Sequence, residues 1–164
     1  MRPTGKVRTL RGKITGVSGK AEKNLILNDQ LINRGLRVTG FFVWPERVSA
    51  AQTATYNAIL SYAALPSANT QMDAGDNTQI GWAFQANQAA IASTAPDVPA
   101  VAPAFSGYFN QLIDPDHIIN RDLFISLRNS TDRTYNYMVV CEFMELTDDE
   151  AIVTIIKENS QSIE

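Results

Sequence analysis

Hydrophobic and polar positions alternate most clearly between Ile118 and Leu146. Over Ile118–Asn129, Leu123, Ile125 and Leu127 fall on one face; Asp122, Ser126 and Arg128 fall on the other, with Phe124 among them. A period of two marks a half-buried β-strand. The polar link Asn129-Ser130-Thr131-Asp132 ends it, and a second strand runs over Arg133–Leu146. There Tyr135, Tyr137, Val139, Cys141 and Phe143 share one face, but Met138, Val140 and Met144 make the opposite face apolar too. Such a strand has to be covered on both sides, by its own fold or by another molecule.

The first half of the chain repeats the strand pattern. Residues 1–5 read as a flexible arm. From Lys6 to Val17, Leu10, Gly12, Ile14 and Gly16 share a face while Arg11, Lys13 and Thr15 point away. The glycines suggest a bulge or a close backbone approach. Ser18-Gly19-Lys20 has turn chemistry, Leu25-Ile26-Leu27 is a short apolar strand, and Leu36–Trp44 is a β-branched and aromatic strand stopped by Pro45. Three strands within fifty residues and no helix between them predict antiparallel pairing.

In the middle, Ser49–Leu65 carries Tyr56, Ile59, Leu60 and Ala63 at helical spacing, with Ser49 or Thr53 as a cap, and predicts a helix. Thr55–Leu60 would also serve as a strand. Asp73-Ala74-Gly75-Asp76-Asn77 reads as a turn, Thr78–Gln85 as a strand, Ala86–Pro103 as a loop and Phe105–Ile113 as a further short strand. At the C-terminus, Thr147-Asp148-Asp149-Glu150 matches the capping box, and Ile152, Ile155 and Ile156 form a stripe on the short helix that follows. Such a helix is marginal alone and needs its stripe packed. The expectation is one all-β domain, an antiparallel sandwich of seven or eight strands over 6–146. A loop-rich insertion sits around 46–104, and helix and tail occupy 147–164.

Composition narrows the classes. With 164 residues, 45% of them hydrophobic and 19% charged, the chain can bury one sizeable core. No apolar run approaches the roughly 20 residues that span a bilayer, and no signal-like core follows Met1-Arg2-Pro3. The single Cys141 excludes an internal disulfide and, mid-strand, reads as a core residue. Charge is strongly polarised. Met1–Asn24 holds Arg2, Lys6, Arg8, Arg11, Lys13, Lys20 and Lys23 against Glu22; Glu142–Glu164 holds seven acids against Lys157. A basic head can meet nucleic-acid phosphates or the acidic tail of a neighbouring copy, or can simply protect an edge strand from unwanted pairing.

Candidate chemistry is sparse. His117 lies beside Asp114 and Asp116, which could offer ligands to an ion, but Asp114-Pro115-Asp116 is also a turn sequence. No Ser-His-Asp set, nucleophile elbow, P-loop or dinucleotide fingerprint is present, so no enzyme and no cofactor is expected. Tyr135, Tyr137, Trp44 and Trp82 could line a sugar-binding surface, though aromatics more often anchor cores and interfaces.

The segments Asp114–Ile118, Arg121–Ile125, Asn136–Val140 and Leu146–Ala151, with the basic head and the Ala/Thr/Asn/Gln-rich loops, resemble the single jelly-roll capsid proteins of small DNA viruses and bacteriophages. That resemblance implies a jelly-roll sandwich, made in the host cytoplasm and resident in the virion. Its partners would be copies of itself, other virion proteins and, through Arg2, Lys6, Arg8, Arg11, Lys13, Lys20 and Lys23, packaged nucleic acid. Met138, Val140, Met144, Ile152, Ile155 and Ile156 are the expected subunit contacts. The alternative is a carbohydrate-binding β-sandwich.

Overall fold

The computed structural model describes residues 1–16, 19–26, 33–47, 56–65, 71–87, 106–120, 122–129 and 132–161. They form β1 (Arg2–Gly16), β2 (Gly19–Leu25), β3 (Arg34–Pro45), β4 (Tyr56–Ser61), β5 (Gln79–Asn87), β6 (Ser106–Ile113), β7 (Ile118–Ile119), β8 (Leu123–Asn129), β9 (Arg133–Glu145) and helix α1 (Asp148–Gln161). Pairing is nested and antiparallel: β1 with β9, β2 with β8, β3 with β7, and β4 with β5 at the centre. A long hairpin rolled up in this way deals its strand pairs alternately to two sheets. One has the order β1-β9-β3-β7 and the other β2-β8-β4-β5-β6. This is the jelly-roll arrangement, with β6 as an added edge strand.

Between the sheets lies one core. Leu123, Ile125 and Leu127 of β8 face Tyr135, Val139 and Cys141 of β9, all fully buried. Tyr56 and Tyr135 pack ring to ring at 4.9 Å, and the Tyr56 hydroxyl donates to the Val43 carbonyl at 2.7 Å. On β1 the inward residue Gly12 is dictated by its neighbour, since a Cβ there would sit 2.6 Å from the Tyr137 hydroxyl. In β3 the register shifts between Val38 and Gly40, leaving Thr39 as an extra residue. The bulge switches the inward set from Leu36 and Val38 to Phe41 and Val43, all buried.

Several expectations change. The described part of the proposed 49–65 helix is strand β4: Tyr56, Ala58, Ile59 and Leu60 are buried between β8 and β5, and an apolar run covered on both faces loses the period that separates strand from helix. Residues 49–55 and the 88–103 part of the proposed loop lie outside the described residues. The arm at 1–5 is part of β1, because Arg2 and Pro3 pair with Glu145 and Met144 before a bulge. The second strand is Gly19–Leu25, its period hidden because Lys23 takes an inward register position opposite Ile125; of the expected 25–27 strand, Leu27 lies outside the described residues. Ile118–Asn129 divides into β7 and β8.

Candidate assembly surface

Helix α1 begins as its sequence demands. The Thr147 backbone N–H donates to Glu150 at 2.9 Å, and the Glu150 N–H donates to the Thr147 hydroxyl at 3.4 Å, a reciprocal capping box. Glu150 also pairs with the Met1 ammonium. That hydrogen bond first, and the Thr147 backbone N–H second, hold its carboxyl below the usual carboxylate range. The helix touches the sandwich through Ala151, which joins Met144, Leu146 and Ile118 in a small cluster at one end of the four-stranded sheet. Thr154 is also buried and bonds back to the Glu150 carbonyl.

The apolar stripe points elsewhere. Ile152 is 55% exposed, Val153 52% and Ile156 59%, while Ile155 is half buried. Of the six expected contact residues, Met144 is buried, packed with Ile118, Leu146 and Ala151. Met138 and Val140 lie on the outer face of the four-stranded sheet and are half buried. In register beside them stand Phe42 and Gly40 on one side and Arg11 and Thr9 on the other. Trp44 and Val7 extend this apolar band and are exposed.

Among the described residues the basic head is divided between the two faces of its strands. Arg11 and Lys13 share the outer sheet face with Met138 and Asn136, and Lys13 pairs with Glu46. That hydrogen bond and charge lower the Glu46 carboxyl below its ordinary range. Arg8 stands opposite the inward Cys141. Lys23 projects over the Tyr137 ring at 5.5 Å and donates to the Lys13 carbonyl at 3.1 Å. The side chain of Lys20 lies outside the described residues. Arg2 meets Glu145 at 3.2 Å, so part of the acidic C-terminal segment answers the basic head within one chain.

Arg2 and Lys6 do come together, with Arg34, at a groove of about 380 Å³ where β1 bulges from β9. Gly5 makes the bulge with φ at +71°, and the Thr4 hydroxyl donates to the Phe143 carbonyl at 2.9 Å. Pro3, Phe143, Met144 and Glu145 complete the walls. Nothing in the sequence spacing marked Arg34, which reaches the groove only because β3 and β1 both flank β9 at Glu145.

The remaining candidates serve the fold. Asp114 accepts from the Asp116 N–H at 3.0 Å, as a turn aspartate does, and His117 stacks on Tyr62 at 5.0 Å. Among the described residues no group of three or more side chains could hold a metal ion. Cys141 is fully buried, and burial pushes its thiol up to about 11. Tyr135 and Tyr137 are core residues, closed to a sugar. Trp82 donates to Gln79, a buried glutamine whose amide also binds the Gln71 carbonyl, Asp76 and the Asp73 N–H, tying down the 71–79 turn. Among the described residues no helix is long and apolar enough to cross a membrane. Compared with protein-family models and with curated proteins, the chain matches none.

Proposed function

We propose that this chain is a non-enzymatic structural subunit of a virus particle, which assembles with copies of itself and with other virion proteins after synthesis in the host cytoplasm. The observation that carries the proposal is the outward stripe Ile152, Val153 and Ile156 on a helix anchored through Ala151. Burying a side chain of that size against a partner is worth about 1.5–3 kcal/mol, and a helix this short needs such packing to persist. The jelly-roll topology and the apolar band at Phe42, Met138, Val140 and Trp44 support repeated contacts. Genome contact is the weaker part of the proposal, because the basic side chains point several ways instead of tracking one phosphate backbone.

Ile156→Asp tests it. The exposed site tolerates the change in the monomer, so a folded protein that no longer forms large assemblies in light scattering is the expected outcome. Assembly indistinguishable from wild type would sink the proposal.

A further inference from the structure

Lys6 is exposed and its ammonium makes no ion pair with any described residue. It stands in a groove that also takes Arg2 and Arg34 and has one carboxylate, Glu145, already engaged by Arg2. The floor is not polar throughout: Pro3 and Phe143 supply apolar surface. What fits is therefore acidic and apolar at once. Helix α1 has that composition, with Asp148 and Asp149 exposed in its first turn and Ile152, Val153 and Ile156 exposed beyond it.

We infer that this groove receives helix α1 of a second copy, whose Asp148 and Asp149 meet Lys6 and its neighbours while the isoleucines cover Pro3 and Phe143. The inference rests on the assembly proposal above and names the surface that answers the exposed helix. The groove and the helix start are neighbours on one molecule, since Met1 reaches Glu150 and Arg2 borders the groove. A two-fold axis that seats one helix therefore seats the other, and both surfaces close in a single isologous contact. A phosphate chain would satisfy the cations but leave the apolar floor unused.

Charge exchange provides the test. In full-length protein, Lys6→Glu places like charges in both contacts of a homodimer, and so does Asp149→Lys. Each single variant is expected to weaken dimerisation, read by sedimentation equilibrium, by about tenfold or more. An equimolar mixture of the two has opposite charges in both contacts and is expected to regain wild-type association, as is the chain carrying both changes. Circular dichroism of each variant establishes that α1 is intact. Loss without recovery in the mixture overturns the inference, and so does unaltered association of the single variants; in the latter case assembly itself still stands. Wild type that stays monomeric at every concentration overturns both. A labelled short oligonucleotide whose binding Lys6→Glu abolishes, with association unchanged, would reassign the groove to phosphate and overturn the inference as well.

Discussion

Strand β8 and helix α1 each carry an apolar stripe at the spacing that their backbone imposes. On β8, Leu123, Ile125 and Leu127 are entirely buried against the opposite sheet. On α1, Ile152 and Ile156 are more than half exposed, and the small residues Ala151 and Thr154 take the inward positions. The difference lies in what surrounds each element. Strand β8 is hydrogen-bonded to β2 and β4 and shares its core with the opposite sheet, whereas α1 leaves the sheet after Leu146 and meets the sandwich through Ala151. Equal patterns in a sequence thus meet unequal surroundings: one closes a core, and the other faces outward.

A matched pair of substitutions would break or uphold this contrast. Ile125→Ala empties a site with no exposure, and the cavity and lost burial should cost about 2–5 kcal/mol in urea unfolding. Ile156→Ala removes the same atoms from a solvent-facing site and should change monomer stability by less than about 0.5 kcal/mol. Equal costs at the two positions would mean that α1 is packed as tightly as β8, and the contrast would fail.

Legibility followed the same division. Alternation revealed β8, β9 and the inward face of β1 because the core-facing residues of each keep a period of two. Gly12 was legible as a close approach, and the Tyr137 hydroxyl is what approaches it. The capping box was legible because its partners are three residues apart and need no tertiary context. Strand β4 was not, since burial of Ile59 as well as Ala58 and Leu60 erases the period. In β3, Phe41 and Phe42 are adjacent aromatics, and only the bulge at Thr39 decides which faces inward. The groove at Lys6 was hidden for a different reason: Arg2, Arg34 and Glu145 meet through the register of three strands distant in sequence. The sequence also displayed a charged head and tail without disclosing that Arg2 and Glu145 satisfy each other within the chain.

A smaller effect sharpens the comparison at the helix itself. Thr147→Ala deletes the hydroxyl that caps the Glu150 N–H, a loss of about 1 kcal/mol. Because α1 is tied to the sandwich through Ala151 and its small cluster, that loss should appear as reduced helical signal in far-ultraviolet circular dichroism. The unfolding midpoint of the sheets should hardly move. A matching fall in the sheet midpoint would show the helix to be an integral part of the core.

The smallest effect expected is with pH. Glu150 titrates below the ordinary carboxylate range because its charged form accepts from the Met1 ammonium and from the Thr147 N–H. A carboxyl whose folded value is depressed stabilises the fold above its unfolded value, and that contribution disappears as pH falls through the folded value. Acidification should therefore fray the first turn of α1 while β8 and its neighbours remain paired. Glu150→Gln keeps an acceptor for Thr147 but cannot titrate, so its helical signal should respond less to acid. The pair lies at the surface, within reach of salt, so the response should also shrink as ionic strength rises. A wild-type helix that ignores acid, or one that melts together with the sheets, would place the stability of α1 somewhere other than in its first turn.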